Sequence, residues 1–201
     1  MPRQSARARQ RSETRERLFE VALREFRAVG FGAAQIDRIA KSAGVARGTF
    51  YFHFPTKDDV LLELAQRVNR RIARRVTLLR DSDPTLRELL YRVNDAIADE
   101  ISRVGETGLL AEMLSLYVRR PYDLADSAHS APSLAEELTQ HLVWASGRGE
   151  LKAQMPPEQI AMVLMSSLFG IYARFSPGQE LRDACHALLD LFVKGLQAES
   201  L

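Results

Sequence analysis

The sequence predicts an all-α protein of about nine helices. Three observations carry that prediction. Apolar residues recur at spacings of three and four along most of the chain, the period of one helix face. No stretch shows the sustained apolar–polar alternation of a half-buried strand. Glycines, prolines and capping residues fall at the ends of the periodic runs. At 201 residues and 46% hydrophobic content, the chain can fill the core of one domain, or of a small domain and a larger one.

Residues 1–11 carry Arg3, Arg7, Arg9 and Arg11, no acid and almost no bulky apolar residue, and read as a disordered basic arm. From Ser12, Leu18, Val21, Ala22, Leu23, Phe26 and Val29 mark a first helix that Gly30 stops. Ile36, Ile39, Ala40 and Ala43 mark a short second helix ending near Gly44. A third runs from about Ala46 and stops before Pro55, because proline disfavours helix in the residue before it. Thr56 caps a fourth, with Asp58 and Asp59 at its positive end and an apolar stripe to about Arg80. After the break "DSDP", Leu86 to Ile101 give a fifth. Segments 109–120, 134–146, 157–175 and 180–198 complete the nine.

The charge is lopsided. Residues 1–80 hold 18 Lys+Arg against 8 Asp+Glu, and residues 81–201 hold 10 against 18. One end suits a polyanion and the other does not. No apolar run reaches the roughly 18 residues needed to span a membrane. The N-terminus has no apolar leader core, and the single Cys185 leaves no disulfide framework or cysteine metal site. A cytoplasmic protein without cofactor or metal is expected. No nucleophile–base set or phosphate loop suggests an enzyme.

The second and third helices, joined through Gly44, form a helix-turn-helix pattern in "IDRIAKSAGVARGTFYFHF". Phe50 and Phe54, four apart, anchor the core. Arg47, Gly48, Thr49, Tyr51, Phe52 and His53 are then left outside or at the rim. Each has a use on DNA: Arg47 for a guanine edge or a phosphate, Gly48 for close backbone approach, Thr49 and Tyr51 for phosphate oxygens, Phe52 for a thymine methyl. Lys57, with the amides that open the fourth helix, suits a phosphate clamp.

Residues 14–61 resemble the DNA-binding domain of the TetR family of transcriptional regulators. The resemblance rests on Phe26, Gly30 and Phe31, "IAKSAGV" at 39–45 and "GTFYFHFPTKDDVL" at 48–61. It departs from the family pattern at Ala34 and Gln35, where threonine or serine commonly caps the second helix, and at Ala46. The resemblance implies an N-terminal helix-turn-helix DNA-binding domain (1–58) and a larger C-terminal helical ligand-binding and dimerisation domain (59–201). It also implies a repressor that a small-molecule effector releases from a DNA operator. A helical ligand-binding or scaffold protein without DNA binding is the alternative.

For a hydrophobic or aromatic effector, Met113, Tyr117, His141 and Trp144 are the candidate lining. The last two helices are apolar on more than one side and must be buried on more than one side. Val163, Leu164, Ser167, Leu168, Ile171, Leu188, Leu191 and Phe192 are therefore expected at a homodimer interface built as a four-helix bundle. A two-fold dimer would read a pseudo-palindromic operator.

Overall fold

The computed structural model describes residues 2–104, 107–119, 133–152 and 155–197. Among them are nine α-helices: α1 (Pro2–Val29), α2 (Ile36–Ser42), α3 (Arg47–His53), α4 (Lys57–Thr77), α5 (Leu86–Val104), α6 (Thr107–Arg119), α7 (Leu134–Gly147), α8 (Pro157–Arg174) and α9 (Gln179–Gln197). A 3-10 turn, Leu78–Ser82, follows α4. It ends at Asp83, whose φ of 40° takes the chain out of helix at the expected break.

The chain divides into two compact units, one of residues 1–65 and 106–120, the other of 66–105 and 121–201. The residues of α4 are shared between them. In the first unit, Leu18, Phe26, Ile39, Phe50, Phe54 and Leu61 are at most 1% exposed and form the core. Gly30 (φ 81°) ends α1, and its N–H donates to the Phe26 carbonyl at 2.9 Å. Gly44 (φ 66°) ends α2. There the Gly44 N–H reaches Lys41 and the Val45 N–H reaches Ala40, which gives the spent helix carbonyls their partners. Both positions need a backbone that a side chain would strain.

The basic N-terminus departs from expectation. Residues 2–11 are the first turns of α1 rather than a disordered arm. Pro2 suits a first helical turn, and the alanines, arginines and glutamines that follow are good helix formers, so nothing stops the helix of Ser12–Val29 from extending backwards.

In the second unit, α5, α7, α8 and α9 bury Leu89, Leu90, Ile97, Leu138, Leu142, Leu164, Leu168 and Leu189. Several polar groups of this unit find partners inside it. The Tyr172 hydroxyl donates to Asn94 Oδ1 at 3.0 Å, and the Tyr91 hydroxyl to Asp190 at 2.9 Å. The buried Glu100 carboxylate accepts from Arg71 and Arg103, each at 2.6 Å, and Glu137 from Arg80 at 3.0 Å. Two arginines of α4 face α5, Arg71 reaching Glu100 and Arg75 reaching Asp99. A Ser133–Glu136 capping box opens α7.

Among the described residues, no helix is long and apolar enough to cross a membrane, and no cluster of three or more His, Cys, Asp or Glu could hold a metal ion.

Candidate nucleic-acid interface

Two short helices carry the site, and neither is capped by a side chain. Gln35 and Ala46 stand at the N-caps of α2 and α3 without a capping hydrogen bond, as the departures at 34–35 and 46 suggested. Seven-residue helices cannot be stable on propensity alone. Burial holds them instead: Ile39 and Ala40 on α2, Phe50 and the C-capping Phe54 on α3, with the two phenylalanine rings 5.9 Å apart. The next helix is better capped. Asp59 accepts from the Thr56 N–H at 2.7 Å and hydroxyl at 2.8 Å, and Thr56 Oγ1 accepts in return from the Asp59 N–H.

With Phe50 and Phe54 inward, α3 turns Arg47, Gly48, Tyr51 and Phe52 to solvent, with Thr49 half-buried. Phe52 is 62% exposed, an unusual place for a phenylalanine in a packed unit. A Cβ built at Gly48 would meet no atom within 4 Å, so packing does not demand glycine there. Arg47 is engaged on both sides. It donates to Asp37 Oδ2 at 3.0 Å and to the Tyr51 hydroxyl at 3.2 Å. These bonds, Tyr51 first, raise its pKa above the ordinary arginine value. Asp37 was not among the residues expected here. Its signal was an acid ten residues before a base, on the other side of a helix-turn-helix turn.

Two side chains of the expected surface sit otherwise than expected. His53 is buried at 8% exposure rather than facing outward. Its carbonyl accepts from Arg15, and its ring packs edge-on against Phe52 with centroids 5.1 Å apart. Burial, then the charges of Arg15 and Arg11, hold its pKa below the ordinary value. Lys57 points inward, its ammonium donating to the carbonyls of Phe31, Gly32 and Ala34. Its charge closes the α1–α2 connection.

Arginines of α1 lie against α3. The Arg11 guanidinium sits 4.7 Å from the Phe52 ring centroid and that of Arg15 4.2 Å from Phe54. Arg7 and Arg11, four apart, share a helix face.

The candidate effector residues fall on helices of both units. Met113 is buried on α6 in the first unit. The Tyr117 side chain lies outside the described residues. His141 and Trp144 belong to α7 in the second unit, their rings edge-on at 5.2 Å. His141 is buried with Nε2 3.0 Å from the Val76 carbonyl, and Arg80 stacks on Trp144 at 4.9 Å. A cleft of about 220 Å³ in the second unit is lined by Arg75, Val76, Leu79, Arg92, Asp95 and Ala96, none of them nominated from sequence.

The expected dimer residues also separate. Leu164 and Leu168 are fully buried in their own chain's core, because α8 turns that edge towards its neighbouring helices. Val163 is 40% and Leu191 68% exposed, and Ser167, Ile171, Leu188 and Phe192 are partly so. Met162, at 59%, joins this outer face.

Two short helices crossed through a left-handed glycine, with an aromatic core beneath and an Arg-Gly-Tyr-Phe surface above, define a helix-turn-helix DNA-binding protein. Residues 18–64 match the model of the bacterial regulatory proteins, tetR family. The chain is 24% identical over 186 residues to the HTH-type transcriptional regulator UidR of Escherichia coli K12, covering 92% of this chain and 90% of that one. It is 46% identical over 54 residues to SrpR of Pseudomonas putida, covering 27% of this chain and 25% of that one. Among solved structures it resembles Thermus thermophilus FadR, a TetR-family transcriptional repressor in complex with lauroyl-CoA. That match has a TM-score of 0.74 and 26% identity, over 93% of this chain and 97% of that one. The N-terminal part of the chain thus carries the tetR-family domain, with α2–α3 as its helix-turn-helix, and the chain is similar over most of its length to TetR-family transcriptional regulators.

Proposed function

We propose that the protein is a ligand-responsive repressor that binds a pseudo-palindromic operator as a homodimer. The exposed Arg47–Tyr51–Phe52 surface of α3 carries this reading. It combines a guanidinium, a hydroxyl and an apolar ring on one short helix, the groups that meet a guanine edge, a phosphate and a thymine methyl. The outer face of α8 and α9, with Met162, Val163 and Leu191 exposed, supports a second copy as its cover. In such a dimer the domains at 1–58 and 59–201 divide DNA reading from dimerisation and effector binding.

The effector belongs in the larger domain. The FadR structure with lauroyl-CoA makes fatty acyl-CoA the first class to test, in keeping with the hydrophobic or aromatic effector expected from sequence. Since α4 has residues in both units, it is the covalent route from effector to DNA. Linkage then requires effector and DNA to weaken each other by the same factor.

The test is selection of bound fragments from genomic DNA, followed by release with acyl-CoAs and other hydrophobic metabolites. Enrichment of inverted repeats, released by one ligand class, is the expected result. Binding to all fragments alike would end the operator reading. An operator complex that every ligand leaves intact would end the effector reading.

A further inference from the structure

Asp37 stands in the first turn of α2, its side chain 63% exposed, beside the surface that α3 presents. From α3, Arg47 sends Nη1 to Asp37 Oδ2 at 3.0 Å and Nη2 to the Tyr51 hydroxyl at 3.2 Å. A guanidinium is a planar fork of five N–H donors. Here one terminal nitrogen is tied to an acid on one helix and the other to a phenol one turn along its own. The plane is held from two sides, and the remaining donors can still reach a base edge.

A carboxylate in this place has a cost. Duplex DNA presents one negative charge about every 1.7 Å along its axis, and every protein carboxylate near it opposes binding to all sequences alike. An unheld arginine has the opposite tendency, since it can swing to the nearest phosphate and contribute affinity without information. Acid and base together trade general affinity for discrimination. Asp37 keeps Arg47 from wandering, lowers the ordering cost of a fixed contact, and repels the backbone that would compete for it.

We propose that Asp37 is a specificity-determining residue of the DNA interface: it positions the Arg47 guanidinium, with Tyr51, to read a base edge and denies it to the phosphates of non-operator DNA. The proposal rests on the reading of α3 as the helix that enters the major groove. Asp37 acts through Arg47 and is a positioning residue.

The experiment measures binding of the full chain to a selected operator duplex and to a scrambled duplex of the same length, across a range of salt. Asp37→Asn should raise affinity for the scrambled duplex. It should steepen that duplex's log affinity–log salt slope by about one phosphate's worth. It should also lower the operator-to-scrambled ratio about tenfold, the scale of one good base contact. In an Arg47→Gln chain, adding Asp37→Asn should leave the ratio unchanged, because no guanidinium remains to hold. Asp37→Glu, which keeps the charge at the start of α2, should keep the parent's salt slope even if Asp37→Asn proves less stable. An unchanged ratio and slope in Asp37→Asn would overturn the proposal. So would an equal loss on both duplexes, an undiminished effect in the Arg47→Gln chain, or a steepened slope in Asp37→Glu. A parent chain that prefers no fragment would sink the operator reading, and this proposal with it.

Discussion

The Lys57 ammonium lies 2.8 Å from the Phe31 carbonyl oxygen, and it also donates to Ala34 at 2.9 Å and Gly32 at 3.1 Å. An ammonium has three donors, and all three are spent on the connection between α1 and α2. The lysine thereby ties that connection down from another helix. Lys57→Met should therefore destabilise the chain by about 2 kcal/mol in urea unfolding, the scale of a charged hydrogen bond lost with its acceptors left in place. The salt slope of DNA binding should stay at the parent value. A stable Lys57→Met chain with a slope shallower by about one unit would return Lys57 to the phosphate role.

The helical N-terminus changes what the basic residues can do. Arg7 and Arg11 lie on one face of α1, and Arg11 already touches Phe52. If the helix delivers them to DNA phosphates, Ala8→Pro should lower operator affinity while keeping every charge, because proline breaks the helix between them. Deleting residues 2–11 should lower affinity at least as far and leave melting near the parent's, since residues 6–11 are exposed. An Ala8→Pro chain that binds like the parent would show that the arginines work without the helix, or not at all.

Acid should weaken the fold. His141 has its pKa held below the ordinary 6.5, chiefly by burial, with Arg80 adding to it. His53 is shifted the same way by burial, Arg15 and Arg11. A histidine depressed in the folded state binds its proton more readily once unfolded. Its contribution is therefore present above about pH 6.5 and is lost as pH falls through the lower folded value. The urea midpoint should drop between about pH 7.5 and pH 5.5, the range in which histidines titrate. His141→Gln should remove part of that drop. A His141→Gln chain with the parent's full pH dependence would clear His141 as a source.

Leu191 is the better probe of the dimer, because it is 68% exposed within the chain. Leu191→Glu should give a folded monomer by analytical ultracentrifugation, with operator binding weakened to that of a half-site. Leu164→Ala should instead cost about 2–5 kcal/mol of stability through the cavity it leaves. A Leu191→Glu chain that still sediments as a dimer would move the interface elsewhere.

Much of this molecule was legible in residue order, because local rules act over a turn or two of chain. The 3.6-residue period set the helices. Gly30, Gly44 and Pro55 set where three of them end, since those backbones are strained or barred for other residues. Phe50 and Phe54, one turn apart, had to share a face, and so Tyr51 and Phe52 had to leave it. The TetR resemblance was carried by the same local pattern.

Tertiary structure decided what depends on partners far away in the chain. Lys57 could be read as a free cation until three carbonyls 23 to 26 residues earlier were brought to it. His53 counted as exposed by period until Arg15, 38 residues earlier, closed over its carbonyl. Leu164 and Val163 are neighbours in sequence and equally apolar, yet one is core and the other is outer face, because burial depends on which helix edge meets α7 and α9. Asp37 and Arg47 are unremarkable apart. They become a site only when the turn at Gly44 sets their side chains 3.0 Å from one another, and periodicity along one helix carries no information about a distance between two.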